Sequence, residues 1–319
     1  MRVYNGLINI NKPTGKTSLD VVHRVSWLLK QLAGHKDTKI GHCGTLDPLA
    51  TGVLVLCLGQ ATRLVPLIHE YPKRYRGQFL LGRTTDTDDI TGQTLQEVDL
   101  RLKPPITRAD IERWLPEFRG VIQQVPPDFS AVRVNGRRAY KLARKGQEVV
   151  IEPRAVEIFN LQLTSIELPY FELDITCGTG TYIRSIGRDL GVHLDCGATM
   201  TQLERVSVGP FSVEQAITLD DLTLENLDAA IQSPVAAVPS FPIVRIEPSQ
   251  FPGVRNGNPI PITDQVPANV ERVVLVTSIG QPIAIARVGS ESGLLHPTIV
   301  FNKSATETDA DACAWRGPE

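Results

Sequence analysis

Cysteines and long apolar segments are both scarce in this chain of 319 residues. The five cysteines are odd in number and contain no C-x-x-C pair, which argues against a disulfide framework and against a zinc ribbon. The apolar block at residues 53–58 is too short to span a bilayer, and the N-terminus carries no apolar segment of signal-peptide type. We therefore expect a cytoplasmic protein with no membrane association and with free thiols in or near a core.

Two familiar ligand-binding loops are present only in part. Gly15-Lys16-Thr17 resembles the end of a phosphate-binding P-loop, but that motif needs a glycine where this chain has Ile10. The acidic turn at residues 85–92 spaces its aspartates like a calcium loop, yet Thr91 occupies the place of the required glycine. The sequence thus predicts neither nucleotide hydrolysis nor an EF-hand, and we expect neither a metal nor a cofactor.

The composition that remains is that of a globular protein, with 42% hydrophobic and 21% charged residues and enough length for two domains. The net charge of −2 hides an asymmetry. Residues 1–155 hold 24 Lys+Arg and 15 Asp+Glu, a balance of +9, whereas the remainder holds 9 and 20, a balance of −11. A basic first half can attract a polyanion, although scattered surface charge would produce the same difference.

Residues 41–52 form a glycine-rich loop that presents one carboxylate. The stretch reads Gly41-His42-Cys43-Gly44-Thr45-Leu46-Asp47-Pro48-Leu49-Ala50-Thr51-Gly52. Because a residue before proline is excluded from the α region, Asp47 should be extended, with its side chain direction restricted. The alternative is an ordinary Asp-Pro turn before a buried strand, and this stretch alone leaves the two interpretations about equal.

Hydrophobic periodicity predicts several helices and strands around this loop. We expect a strand at residues 7–11, a helix capped by Thr17 and Asp20 and ended by Gly34, a strand at 73–81, a helix opened by Thr107, and a half-buried strand at 170–177. A glycine turn then opens a helix that should stop at Gly191. Arg184 would lie in its first turn, where it could pair with a phosphate or a carboxylate.

A run of cations between Arg133 and Lys145 favours contact with phosphates. The run contains six basic residues, including Arg137, Arg138 and Lys141, and no acidic residue. A solvated helix face is the alternative. Tyr75, surrounded by Lys73, Arg74 and Arg76, is either a packing residue or a platform for base stacking. With RNA as the ligand, the acidic turn at 85–92 would lie in solvent or beside that RNA.

Four separated motifs together resemble the bacterial tRNA pseudouridine synthases of the TruB family, which isomerise the uridine at position 55 in the T loop of tRNA. The motifs are Lys12-Pro13-Thr14-Gly15 with Thr17-Ser18; the whole 41–52 loop; Pro126-Pro127 through Ser130-Ala131 to Gly136, Tyr140, Ala143 and Arg144; and Gly180-Thr181-Tyr182-Ile183-Arg184. They cover nearly all of residues 5–210 in the order and spacing of the family.

This resemblance implies that Asp47 is the catalytic aspartate. It further implies that His42 helps to displace and stack within the T loop and that Tyr75 lies against the target base. Arg184 would pair with Asp47, and Asp89 would belong to the hydrogen-bond network of the site. Tyr182 and Leu203 would lie near the flipped nucleotide. Lys12 of the first motif and Arg137, Arg138 and Lys141 of the basic run are the further candidates for substrate contacts.

The resemblance also implies an α+β fold. We expect a catalytic domain over residues 1–238, built on a mixed, largely antiparallel sheet with an inserted RNA-gripping thumb at about 120–153. Residues 233–242 have the composition of a linker, 239–302 would form a small β-rich PUA-like RNA-binding domain, and 303–319 a disordered tail.

The chemistry agrees with this interpretation, because moving uracil from N1 to C5 on the same sugar needs no redox partner, metal or ATP. A buried carboxylate would be driven toward its neutral form, so a cation such as Arg184 is needed to keep it ionised.

The expected partner is the T arm of tRNA, with no obligatory protein partner and a monomeric state. Two alternatives are an RNA-binding or tRNA-folding module without important catalysis, and the guide-RNA-dependent synthase subunit of archaea and eukaryotes. The lack of an extended N-terminal arm counts against the second.

Overall fold

The computed structural model describes residues 4–34, 38–134, 136–147, 149–289 and 291–301, so the tail predicted at 303–319 lies outside the described residues. The helices are α1 (Ser18–Ala33), α2 (Val65–Glu70), α3 (Arg108–Trp114), α4 (Ala139–Ala143), α5 (Ile183–His193), α6 (Leu227–Ala230) and α7 (Phe251–Arg255). None of the helices in these ranges is long and apolar enough to cross a membrane.

The strands fall into one large sheet, one small sheet and two hairpins. They are β1 (Gly6–Lys12), β2 (Ile40–His42), β3 (Thr51–Leu58), β4 (Lys73–Leu81), β5 (Arg83–Thr85), β6 (Thr94–Glu97), β7 (Gly120–Gln124), β8 (Arg133–Val134), β9 (Arg137–Arg138), β10 (Arg154–Glu167), β11 (Tyr170–Cys177), β12 (Ala198–Val208), β13 (Phe211–Ser212), β14 (Ile217–Thr218), β15 (Ile243–Arg245), β16 (Ile260–Pro261), β17 (Arg272–Val276), β18 (Pro282–Gly289) and β19 (Leu294–Val300).

The large sheet has ten strands in the order β14-β1-β3-β12-β4-β11-β10-β7, with β13 paired to β12 and β2 to β3. Most neighbours are antiparallel, but β12 runs parallel to β3 and β14 runs parallel to β1. The expected α+β fold on a mixed, largely antiparallel sheet is confirmed. Strand β4 lies near the centre, between β12 and β11, and its buried side chains Phe79 and Leu81 belong to one core cluster.

Helix α1 forms where the sequence predicts it, because its two ends are capped locally. Thr17 and Asp20 form a reciprocal capping box, and Gly34 closes the helix with φ 72° and a hydrogen bond to the Lys30 carbonyl. Its apolar side packs on Ile8 and neighbouring residues of β1 and β3. The same capping pattern opens α3 at Thr107.

Helix α5 packs on the other half of the sheet and corrects one sequence prediction. It continues through Gly191 and ends at His193. Gly191 is buried against the next strand, and a Cβ there would lie 2.2 Å from the Ala198 nitrogen. The glycine therefore permits a close approach between helix and strand instead of stopping the helix.

Strand β11 is more deeply buried than the alternating pattern predicts. Phe171, Leu173 and Ile175 are buried as expected, but Asp174 is buried as well. Its carboxylate accepts two hydrogen bonds from the Arg74 guanidinium, Nε to Oδ1 at 2.9 Å and Nη2 to Oδ2 at 2.8 Å. The bidentate arginine compensates the charge of this carboxylate, which is buried on the face opposite to Phe171, Leu173 and Ile175.

The insertion predicted at about 120–153 begins later than expected. Residues 120–124 form β7, which pairs with β10 at the edge of the large sheet. Beyond them, the hairpin of β8 and β9 and helix α4 surround a small core of their own. That core consists of Val132, Ala139, Val149 and Ile151. We call residues 125–153 the thumb and residues 125–129 the thumb stem.

The C-terminal unit is a five-stranded sheet in the order β15-β17-β18-β19-β16. The first part of the segment predicted to be a linker is buried, since Val235 and Ala237 lie in a cluster that also contains Val274 of β17, whereas Pro239 and Ser240 are exposed. The Tyr71 hydroxyl donates a hydrogen bond of 2.6 Å to the Ala237 carbonyl. A segment rich in proline, valine and alanine is apolar enough to enter a core, and here it joins the two units.

Candidate active site

Asp47 lies on a loop between β2 and β3 whose backbone requires glycine at two points. Gly44 has φ 107° and Gly52 has φ 98°, values that residues with a side chain rarely adopt. A Cβ on Gly52 would also lie 2.3 Å from the Arg205 carbonyl oxygen of the adjacent strand β12. Leu46 is buried, so the loop is anchored immediately before its carboxylate.

The segment at residues 12–18 holds this loop from one side. Gly15 N–H donates to the Pro48 carbonyl at 2.7 Å, and Thr14 Oγ1 donates to the Leu49 carbonyl at 3.0 Å. The Ser18 hydroxyl accepts from the Leu46 N–H at 2.9 Å. Gly15 of the partial P-loop match and its neighbours Thr14 and Ser18 therefore bind backbone groups of the Asp47 loop.

Lys12 is completely buried beneath the same loop. Its ammonium donates to the carbonyls of Lys16 at 2.6 Å, Pro13 at 2.9 Å and Pro48 at 3.4 Å. Burial lowers the pKa of Lys12 to about 8, although the nearby Asp47 carboxylate opposes the shift. These contacts favour a supporting role for Lys12 over the direct substrate contact that the sequence suggested.

Arg205 of β12 completes the support of the loop, and sequence reasoning missed it. Its buried guanidinium donates from Nε to the Val53 carbonyl at 2.7 Å and from Nη2 to the Gly44 carbonyl at 3.1 Å. The only sequence signal is an arginine two residues after Leu203 in a largely apolar strand, which periodicity alone does not distinguish from a surface position.

Arg184 and Asp47 form an ion pair, the contact that the resemblance implies. Arg184 Nε lies 2.9 Å from Asp47 Oδ2. The guanidinium also donates to the Thr87 carbonyl at 2.7 Å and to the Phe129 carbonyl at 3.2 Å. The arginine side chain is 5% exposed and the aspartate side chain 37%, so the carboxylate faces outward with its cation behind it.

Asp89 lies next to this pair, within a turn that is docked on the sheet. Its Oδ2 is 3.7 Å from Arg184 Nη1, and its Oδ1 accepts from Thr87 Oγ1 at 2.9 Å and from Thr91 N–H at 3.0 Å. Two backbone hydrogen bonds join the turn to β12, from the Ile90 N–H to the Met200 carbonyl and from the Met200 N–H to the Asp88 carbonyl. The turn is thus part of the site, which corrects the interpretation of a freely solvated turn.

Tyr75 of β4 lies beside the Asp47 loop. Its backbone pairs with Ile175 on one side and Arg205 on the other. Burial raises the pKa of the Tyr75 hydroxyl, the Asp47 carboxylate adds to this rise, and Arg205 opposes it. The phenol is therefore neutral near pH 7, and its ring is only partly covered by the core.

His42, at the end of β2, is partly buried and has no hydrogen bond to Nδ1 from any described residue. Desolvation lowers the pKa of His42, Arg205 lowers it further, and a hydrogen bond to the Gly44 backbone opposes both. The imidazole is consequently neutral near pH 7. A neutral ring suits stacking against a base better than it suits the role of a cation.

Tyr182 and Leu203 border the same region. The side-chain amide of Gln124 holds the Tyr182 backbone through two hydrogen bonds, at 2.8 Å to its N–H and 3.1 Å to its carbonyl. The Tyr182 ring packs against the small core of the thumb, around Val132 and Ile151. Leu203 is 7% exposed and packs in the main core, so little of its side chain reaches the surface in this structure.

The basic residues Arg137, Arg138 and Lys141 are exposed on β9 and α4 of the thumb. None of them forms an ion pair with another described residue. Separately, no group of three or more His, Cys, Asp or Glu side chains within the described ranges could hold a metal ion.

Two solved structures share this fold. One, described as an H/ACA ribonucleoprotein bound to a substrate RNA containing 2'-deoxyuridine, has a TM-score of 0.64 and 25% identity over 93% of this chain and 85% of the other. Another, described as a Cbf5-Nop10-Gar1 complex, has a TM-score of 0.67 and 26% identity over the same shares. The fold is that of the pseudouridine synthase class.

Sequence comparisons narrow the class to one family. A family model described as TruB family pseudouridylate synthase, N-terminal domain, matches residues 30–183, and one described as the tRNA pseudouridylate synthase B C-terminal domain matches residues 184–233. A tRNA pseudouridine synthase B of Syntrophomonas wolfei is 37% identical over 93% of this chain and 98% of that protein. The one from Clostridium kluyveri is 42% identical over 79% and 84%. The chain belongs to the TruB family of pseudouridylate synthases, which confirms the resemblance seen in the sequence.

Proposed function

We propose that this protein converts uridine to pseudouridine in tRNA, at position 55 of the T loop, with Asp47 as the essential catalytic carboxylate. The observation that carries the proposal is the outward-facing Asp47 with Arg184 Nε at 2.9 Å behind it. The relatives that share this sequence are named as tRNA pseudouridine synthases. Family membership and site geometry therefore support the same reaction.

The reaction breaks the N1–C1′ bond, rotates the uracil and forms a bond from C5 to the same C1′, after which C5 loses its proton. One ionised carboxylate can assist as a nucleophile or as a base toward the sugar. Arg184 stabilises that carboxylate as an anion by direct contact. The proton released from C5 goes to solvent or to a nearby base and N1, freed from the sugar, takes up a proton, so the overall change is an isomerisation.

The target base must leave its stack before Asp47 can reach it. Extrusion costs a few kcal/mol, which stacking on aromatic rings and contacts to phosphates can offset. Tyr75 and the neutral His42 are the rings next to the Asp47 loop, and Tyr182 borders the thumb. We assign the exposed Arg137, Arg138 and Lys141 to the RNA backbone.

The purified protein should act on tRNA without a protein or RNA partner. The test is incubation of a tRNA transcript with the protein alone, followed by mass-spectrometric mapping of pseudouridine and by tritium release from C5-labelled uridine. We expect one pseudouridine, in the T loop. Activity that needs an added guide RNA would instead favour the guide-dependent type of synthase.

The role of Asp47 is tested with Asp47→Asn, because the amide keeps the shape of the side chain but removes its charge. We expect turnover to become undetectable while a gel shift still reports tRNA binding. Asp99→Asn is the matched control, since Asp99 lies in an exposed pair with Arg101. Conversion by Asp47→Asn at the parent rate would refute the proposal, and binding without turnover in the parent would indicate an RNA-binding module.

A further inference from the structure

A second arginine of helix α5, Arg188, holds the surroundings of the catalytic pair. We propose that the Arg188–Asp88 ion pair is a positioning element that fixes the acidic turn (residues 85–92) and the thumb stem to helix α5, so that Arg184 stays against Asp47. This inference rests on the proposed function, because it concerns how the same site is kept in its active geometry.

Arg188 uses its whole guanidinium to connect three parts of the chain. Nη1 lies 2.9 Å from Asp88 Oδ2 in the acidic turn. Nη2 donates to the Val125 carbonyl of the thumb stem at 2.9 Å, and Nε lies 2.8 Å from Asp189 Oδ1 on the helix itself. Asp189 therefore orients Arg188 while the other two nitrogens hold the turn and the stem.

Arg184 binds the same two segments one helical turn earlier. Its guanidinium donates to the carbonyl of Thr87, the neighbour of Asp88, and to that of Phe129 in the thumb stem. Because residues four apart lie on one face of a helix, the two arginines act side by side. A shift of the turn or stem that breaks the Arg188 contacts would also displace the acceptors that orient Arg184.

The backbone of Asp88 indicates that its side chain is required. Its φ is 59°, in the left-handed region that favours glycine. The conformation is fixed by a hydrogen bond from Met200 N–H to the Asp88 carbonyl at 3.1 Å. Glycine would adopt this turn more easily, yet the position carries a carboxylate whose side chain is only 13% exposed and which is paired with Arg188.

The charges around Asp88 give the pair a pH dependence. Burial raises the pKa of Asp88 to about 6, against the opposing effects of Arg188 and Arg184, while Asp189 raises it further. On the thumb stem, Asp128 also faces Arg188. Above pH 6 the carboxylate is ionised and the pair is intact, whereas below pH 6 it is protonated and its hold on Arg188 weakens. The turnover rate should therefore fall as the pH drops through about 6.

The experiment compares Asp88→Asn, Arg188→Gln and Arg188→Lys in the full chain. The control is Arg101→Gln, which breaks an exposed ion pair of similar length, 2.8 Å. We measure kcat and KM on a tRNA transcript between pH 5 and pH 8. Both neutral variants should lower kcat about 10-fold at pH 7.5 with little change in KM, because misplaced catalytic groups cost turnover. Arg188→Lys should retain an intermediate kcat, and Asp88→Asn should flatten the profile around pH 6.

Amide hydrogen exchange supplies a readout that does not depend on activity. Exchange at residues 85–92 and 125–129 should be faster in Asp88→Asn and Arg188→Gln than in the parent or in Arg101→Gln. Parent-like kcat, pH profile and exchange in both variants would overturn the inference. If the parent itself forms no pseudouridine, the proposed function fails and exchange alone decides on the positioning role. If Arg188→Gln does not fold, Arg188→Lys and Asp88→Asn give the answer.

Discussion

At the scale of residues, the Asp47 loop is held by buried cations that bind backbone carbonyls. Lys12 binds the carbonyl of Pro48, and Arg205 binds those of Gly44 and Val53. Neither cation forms an ion pair with a carboxylate among the described residues, so their charge is directed to the loop itself. Among the described residues, the ion pair with Asp47 is made by Arg184.

Replacing Arg205 should damage the loop as well as the fold. Arg205→Gln leaves buried carbonyls without donors, at about 1–3 kcal/mol each, so we expect a loss on the order of 3 kcal/mol in the free energy of unfolding, together with a lower kcat. Urea unfolding and tRNA turnover are the measurements. Arg101→Gln, at an exposed arginine, should change stability by no more than about 0.5 kcal/mol. Equal stability of the two variants would contradict the assigned contacts.

Lys12 should make stability depend on alkaline pH. Its pKa is lowered to about 8 in the folded protein from 10.5, so between these values the unfolded chain binds more protons than the folded one. Stability therefore rises with pH in this window. Relative to Lys12→Met, the free energy of unfolding of the parent should increase by on the order of 2 kcal/mol between pH 8 and pH 10. Urea unfolding at each pH is the measurement. Parallel pH curves for the two proteins would contradict the shift.

At the scale of elements, local signals predicted the positions of several helices and strands closely. The capping box and Gly34 fixed α1, and strict alternation fixed β4 at the predicted residues 73–81. Two local signals gave wrong predictions. Gly191 looked like a helix stop but serves a close contact with Ala198, and the proline-rich segment at 233–242 looked like a linker but enters a core. In both cases a partner distant in sequence decides the outcome.

The thumb is the element whose charge should control RNA affinity. Alanine at Arg137, Arg138 and Lys141 should weaken tRNA binding and reduce the slope of log K against log salt by about 2, because each lost phosphate contact removes about 0.7–0.9. Titrations at several salt concentrations measure the slope.

The matched control replaces three cations that are already paired with carboxylates. These are Arg101 with Asp99, Lys103 with Asp195, and Arg108 with Glu112. Their triple alanine variant should keep the parent slope. An unchanged slope in the thumb variant would contradict the assignment of the thumb to the RNA-binding surface.

At the scale of the whole molecule, one apolar cluster joins the catalytic sheet to the C-terminal sheet. It includes Val55 of β3, Val235 of the connecting segment, and Val274 and Ile285 of the C-terminal strands. The Arg63 guanidinium also donates to the Val300 carbonyl at 3.0 Å. The two units therefore share buried surface instead of being joined by an exposed tether.

This shared core predicts a single cooperative unfolding transition. Val274→Ala removes two methyl groups from a side chain with 0% exposure. It should lower the free energy of unfolding by about 2 kcal/mol and shift the entire transition to lower temperature. Differential scanning calorimetry is the measurement. Val273→Ala is the comparison, because Val273 packs within the C-terminal core and should shift the same single transition. Two separate transitions, of which only one moves, would show that the units unfold independently.

The sequence by itself determined the family and the local elements, because capping pairs, alternation and the motifs around Asp47 are encoded over short stretches. It also singled out Asp47, Tyr75 and Arg184 through the resemblance. The tertiary structure alone decided what surrounds them. Arg205, Asp88 and Arg188 are separated from Asp47 by 41 to 158 positions, and their contacts arise only when β12, the acidic turn and α5 pack together. Hydrogen bonds to backbone carbonyls leave no mark in a sequence pattern, since any residue supplies the acceptor.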